Sequence, residues 1–254
     1  MKITHKTLKK NHNVSRESDG SLFLRYIGFF LFLAWSFYAF FFVLAIIASY
    51  FIPIEKELSW FSGEYIIFSE ISQDLPEDLK NRYSDSLYSI WVIDMDDTQN
   101  AFSTLGGNVF LTQAFLEQVE TYQELDFIVW HEFGHISHRD VMKSLISRLP
   151  ITLILSLFSG DSGLMLFEAT IGNSHSKFQE SRADRYALDY VYEKNGHIAC
   201  ALDFFEKTNT IEDNIMEIFS THPVTRLRIQ KLKKYAKEKW YPSEECQTFN
   251  FIKK

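Results

Sequence analysis

The chain reads as an α+β protein, mostly helical with a small antiparallel sheet, preceded by one N-terminal transmembrane helix. Three observations carry that reading. Residues 26–54 form a run of 29 without a charge. Beyond them, apolar residues recur mostly at three- and four-residue spacing, the period of helices packed on a core. Only two short stretches, 88–94 and 108–112, alternate with the period of a strand.

Taken in order, residues 1–25 are a basic head. Lys2, Lys6, Lys9, Lys10, Arg16 and Arg25 stand against Glu17 and Asp19, a charge of +4 in a chain of −7, so the remainder carries −11. An acidic domain argues against nucleic acid as a partner. The uncharged run 26–54 would be about 43 Å long as a helix, ample for a hydrocarbon core of ~30 Å and too long for a signal-peptide apolar region. The lipid bilayer is therefore an expected partner. Positive charge precedes the run, and Glu55, Lys56 and Glu57 follow it. The positive-inside rule then puts the head in the cytoplasm and residues 55–254 across the membrane. A bacterial inner membrane with a periplasmic domain is favoured, with the mitochondrial inner membrane facing the intermembrane space as the alternative.

From Trp60 onward 195 residues remain, enough for one domain with a sizeable core. Helices are expected over 113–119, 122–138, 177–194, 197–207 and 223–238. The apolar stretch 151–171 is interrupted at Ser159–Gly163, and each half is too short to span a bilayer. It reads as a buried or membrane-dipping hairpin, or a lid. Cys200 and Cys246 are the only cysteines. A disulfide between them and two buried thiols are equally compatible with the sequence.

The chemistry sits in His131-Glu132-Phe133-Gly134-His135, on a helix whose buried stripe is Leu125, Ile128, Val129, Phe133 and Ile136. Positions i and i+4 share a face, so both histidines can grip one metal ion. Glu132 points about a hundred degrees away, within reach of a metal-activated water without being a ligand. Zinc, one ion per chain, is the usual metal for this spacing, with the glutamate as general base in peptide hydrolysis. Gly134 costs helix stability, and close approach of another backbone is one reason to keep it there. A catalytic zinc needs a third protein ligand. Glu180 is the leading candidate, because Asp184 lies one turn later and can accept the free ring N–H of a zinc-bound histidine. Glu168 and Glu193 are rivals without that aspartate.

His131 to Asp140, together with Glu180 to Asp184, resemble the membrane-associated zinc peptidases of HtpX type, gluzincins whose family also contains the CAAX prenyl endopeptidases. Two more segments extend the resemblance over roughly residues 65–235. Asn100-Ala101-Phe102 with Gly106 to Thr112 is similar to the strand pair before the active-site helix. Ser220-Thr221-His222-Pro223, followed by Arg228, is similar to a C-terminal His-Pro motif.

The resemblance implies a zincin-type metallopeptidase domain in which His131, His135 and Glu180 hold zinc and Glu132 activates water. His222 would donate to the oxyanion, and Arg228, with Arg226 as competitor, would anchor the Glu180 helix or orient Glu132. The segment Gly107, Asn108, Val109, Phe110 would be an edge strand that pairs with an extended polypeptide substrate. The activity implied is quality control of unfolded membrane or envelope proteins. The alternative is a latent, chaperone-like or scaffolding protein on the same fold; an oligomer is left open.

Overall fold

The computed structural model describes residues 19–61, 72–73, 75–95, 97–159, 175–208, 222, 226–243 and 246. Its helices are α1 (Asp19–Phe51), α2 (Ile54–Phe61), α3 (Glu77–Arg82), α4 (Gln113–Gln118), α5 (Tyr122–Ser137), α6 (Asp140–Ser159), α7 (Lys177–Asn195), α8 (Asp203–Thr208) and α9 (Arg226–Glu238). The strands are β1 (Ser72–Gln73), β2 (Ser89–Ile93), β3 (Ala101–Thr104) and β4 (Asn108–Thr112). The class is the one expected, α+β and mostly helical. The helix expected over 197–207 is shorter, confined to α8.

The sheet departs from expectation. Its order is β1-β2-β4-β3, with β4 antiparallel to β3 and parallel to β2, so it is mixed rather than antiparallel. The tight turn at Leu105–Gly107 returns β3 against β4, and Gly106 (φ 77°) and Gly107 (φ 74°) take the left-handed conformations that turn needs. Because β4 lies between two strands, it is not an edge. The substrate-pairing role expected of Gly107, Asn108, Val109 and Phe110 is thereby overturned: Val109 already faces Ile90 on one side and Ser103 on the other.

Local chemistry sets the ends of the two helices that matter most. Thr121 caps α5 and Ser176 caps α7. Each accepts from the third residue of its helix, whose own side chain returns a bond to the cap backbone. Gly196, in the left-handed conformation, ends α7. Helices α5 and α7 pack face to face, joining Leu125, Ile128, Val129, Phe133 and Ile136 to Ala187, Leu188 and Val191 in the main core. Gly134 permits this contact. A Cβ there would stand 3.1 Å from the Ala183 Cα and 3.2 Å from Tyr186.

Asp126, inside α5 and fully buried, is held by the Arg82 guanidinium and by the Tyr83 hydroxyl, which donates at 2.7 Å; Lys194 of α7 stands 3.6 Å away. A buried carboxylate with this many donors is satisfied rather than orphaned. The network binds α3, α5 and α7 together at the end remote from the histidines.

Among the described residues α1 is the one helix long and apolar enough to cross a membrane. Only Ala45 along its length is buried, which is not the pattern of a core helix. Its C-terminal end packs on α6, where Ala48, with Ile52 just beyond the helix, joins Leu145 and Ile146 around buried Leu105, Val141 and Met142. The apolar segment 151–171 is helical as far as Ser159, continuing α6 through Pro150; its remainder lies outside the described residues. Cys200 and Cys246 are joined, with Cα atoms 6.0 Å apart, which ties the C-terminal tail to the turn after α7.

Candidate metal centre and active site

Helix α5 delivers His131 and His135 from one face, with their Nε2 atoms 3.1 Å apart. Helix α7 delivers Glu180 from its first turn. Glu180 Oε1 lies 3.3 Å from His135 Nε2, and Oε2 lies 3.5 Å from His131 Nε2. Ligand atoms at about 2.0–2.1 Å from one tetrahedral zinc stand roughly 3.3 Å from one another, so the spacing of the two ring nitrogens and the Glu180 carboxylate suits a single ion. Glu193, a rival from sequence, is exposed more than three turns further along α7. Glu168 lies outside the described residues.

His222 joins the same set. Its Nδ1 is 3.3 Å from His131 Nε2 and 3.0 Å from Glu180 Oε1, and its Nε2 is 3.3 Å from Glu132 Oε1. Donor atoms of His131, His135, Glu180 and His222 all lie within 4.8 Å of one another, and all four residues are buried. Its neighbours Ser220, Thr221 and Pro223 lie outside the described residues.

Each histidine of α5 turns its other nitrogen to a carboxylate. His131 Nδ1 stands 3.1 Å from Asp184 Oδ1, and His135 Nδ1 stands 3.1 Å from Asp140 Oδ2. Such partners hold the Nδ1–H tautomer and aim the Nε2 lone pair into the site. Asp140 was not singled out by sequence reasoning. It belongs to the next helix, α6, and reaches back across the turn at Arg139 (φ 61°). Its second oxygen accepts from Arg182 Nη2 at 2.6 Å, which links the turn to α7.

Arg228 of α9 is the cation beneath the site. Its Nη1 is 2.7 Å from Glu180 Oε2, and its Nε and Nη2 donate to the two oxygens of Asp184 at 3.0 and 2.6 Å. Nη1 also donates to the His222 carbonyl at 3.2 Å. The competitor Arg226 is exposed. Glu132 accepts from Ser103 Oγ of β3 at 2.8 Å, a second contact that sequence alone did not reveal.

The electrostatics follow from this crowding. Burial works against a charged His131, yet the Asp184 and Glu180 carboxylates outweigh it and raise its pKa from 6.5 to about 10. For His135 burial is likewise outweighed, by Asp140 and Glu180, and its pKa is raised. Glu180, Asp184 and Asp140 are all held below the usual carboxylate range: burial opposes this, but the histidines prevail at Glu180, His131 with Arg228 at Asp184, and His135 with Arg182 at Asp140. The site therefore keeps anionic oxygens facing proton-hungry nitrogens, an arrangement that a divalent cation satisfies in place of protons. His175 stacks on His135 with ring centres 3.8 Å apart; its burial and its His135 and His222 neighbours push its pKa well down.

Known proteins align with this sequence. The beta-barrel assembly-enhancing protease of Yersinia pestis is 24% identical over 179 residues, covering 62% of this chain and 37% of that protein. Metalloprotease LoiP of Escherichia coli (strain K12) is 23% identical over 145 residues, 53% of this chain and 57% of its own length. The beta-barrel assembly-enhancing protease of the same strain is 25% identical over 154 residues, 53% of this chain and 31% of that protein. The chain thus spans from about a third to somewhat over half of the length of these relatives. Residues 69–236 match the model of peptidase family M48, a segment that contains both helices of the metal centre and Arg228. The chain belongs to that family, the metallopeptidases that its four motifs resemble.

Proposed function

We propose that the protein is a zinc-dependent endopeptidase, tethered to a membrane by α1, that hydrolyses peptide bonds in extended or unfolded membrane and envelope proteins. The convergence of His131, His135 and Glu180 on one point, with Glu132 beside it, carries this reading. Zinc bound there would supply Lewis acidity toward a water and the scissile carbonyl. Ser103 fixes one oxygen of Glu132. The Glu132 carboxylate takes a proton from the attacking water, and returns it to the amine as the C–N bond breaks. Asp184 and Asp140 keep the histidine lone pairs aimed inward, and Arg228 anchors the helix that carries Glu180. Ser103, which donates to Glu132, belongs to β3, the outer strand beside β4, so an extended substrate is proposed to run beside β3 rather than β4.

His222 supports two roles. As a donor, its Nε2–H would serve the oxyanion that forms near Glu132. A second reading is favoured by its Nδ1, which lies at ligand spacing from two other ligand atoms. A fourth protein ligand closes the position that water needs, and this would make the described arrangement a latent one.

The catalytic domain is proposed to lie outside the cytoplasm. The basic head supports this through the positive-inside rule, and the Cys200–Cys246 bond supports it through the redox chemistry of exported domains. The relatives named for β-barrel assembly are in keeping with a substrate in the envelope.

The test is cleavage of an unfolded model protein by the detergent-solubilised full chain. Wild type should cleave, lose activity to a chelator and regain it with zinc; Glu132→Gln should bind zinc and not cleave. Cleavage by Glu132→Gln at the wild-type rate would sink the proposal. A His222→Ala arm separates the two roles, since zinc retention falls only if His222 is a ligand.

A further inference from the structure

A cavity of about 430 Å³ opens between α7 and α9 and borders the candidate metal centre, with Glu180, Asp184 and His175 in its lining. Its size is that of a pocket for a side chain or small ligand. Leu227 and Leu232 supply apolar wall, and three exposed cations, Lys177, Arg185 and Lys231, stand around it. None of the three has a carboxylate partner among the described residues. For Arg185 the reason is visible. The acid one turn along α7, Asp189, accepts instead from the Tyr235 hydroxyl at 2.9 Å and the Tyr241 hydroxyl at 2.7 Å. Arg185 lies over the Tyr235 ring, 5.4 Å from its centre, which steadies the guanidinium while leaving its N–H donors available.

Charge around the cavity is one-sided. Four cations, counting Arg228, face two carboxylates, Glu180 and Asp184, whose charges are already engaged by Arg228 and the histidines. This positive concavity sits in a chain that carries −11 outside its first 25 residues. Low-dielectric walls focus such a field into the cleft.

We infer that this cavity is a substrate subsite that accepts a carboxylate of the bound polypeptide, close to the bond cleaved. The carboxylate can come from an acidic side chain or from the end of the chain. The inference rests on the peptidase reading for its biological meaning, but its test does not depend on turnover.

Binding is measured on the full-length, zinc-loaded Glu132→Gln protein in detergent, by titration with three otherwise identical peptides. One carries an internal Glu and an amidated end, one a Gln and a free carboxylate end, and one a Gln with an amidated end. The Glu peptide, the free-ended peptide or both should bind about tenfold tighter than the doubly neutral one, with the gap narrowing at high salt. Which of the two gains affinity identifies the source of the carboxylate. The same ratios are then measured in the Lys177→Gln/Arg185→Gln/Lys231→Gln variant, whose zinc content and melting temperature establish that it is folded. The ratios should fall to about one. Equal binding of all three peptides, no binding at all, or a preference that survives in the triple variant would overturn the subsite. Failure of wild type to cleave any of these peptides while the preference holds would count against the peptidase reading alone.

Discussion

Asp140 does more than its place after the metal motif announces. It receives His135 Nδ1 on one oxygen and Arg182 on the other, so a single carboxylate sets the ring orientation of one candidate ligand and the position of the helix that carries the next. Asp140→Asn keeps the shape and removes the charge. It should weaken zinc affinity by about 10- to 100-fold, read by competition with a chelating dye. Unchanged affinity would mean that Asp140 only terminates the turn. The raised pKa of His131 has a consequence of its own. In the protein alone this ring stays protonated up to about pH 10, and a metal must displace that proton. Zinc affinity should therefore climb about tenfold per pH unit from neutrality toward pH 10 for each proton displaced. Calorimetric titrations in buffers of differing ionisation enthalpy should report at least one proton released per zinc at pH 8. The residues reached from sequence are those with a spacing to reveal them: His131 and His135 by the helical repeat, Glu180 by the aspartate one turn on. Ser103 and Asp140 were not, because each approaches from a neighbouring element and only the tertiary fold brings it there.

At the level of elements, the candidate metal centre is the seam between α5 and α7, and Gly134 sets how closely that seam can shut. Gly134→Ala would gain roughly 1 kcal/mol in helix propensity. It would also press a methyl group on the Ala183 backbone at 3.1 Å, which yields only if α7 moves. Overpacking costs about 1–3 kcal/mol, so a net loss of stability is expected, together with weaker zinc binding as Glu180 withdraws. A denaturation midpoint at or above the wild-type value would remove close approach as the reason for this glycine. Helix positions were legible because periodicity is local. The capping boxes of Thr121 with Glu124 and Ser176 with Gln179, which the sequence reading did not use, fix the starts of α5 and α7 in the structure. Strand order was not legible, since the alternation in 108–112 is the same at an edge or between two neighbours. The burial of all five residues of β4 is a property of the assembled sheet.

Across the whole molecule, the Cys200–Cys246 bond closes 46 residues of chain. A loop of that length removes about 4 kcal/mol of unfolded-state freedom in the chain-entropy model. Reductant, or the double Cys→Ser variant, should lower unfolding free energy by roughly 2–4 kcal/mol in denaturant titrations at constant zinc. No change would show that the tail is not held by this bond in solution. The long uncharged run of α1 was evident from composition, but how the domain sits against it was not. Only Ile52 and Pro53 separate α1 from α2, and in α2 the buried Glu57 pairs with Arg139 at 3.0 Å, the residue next to Asp140. With α1 in a bilayer, the enzyme has no tether on which to swing. Its cleft would ride at one fixed altitude above the lipid, and that height would itself select among substrate bonds. Bonds close to the membrane surface would be within reach, and the same bond carried a domain's height away would be spared.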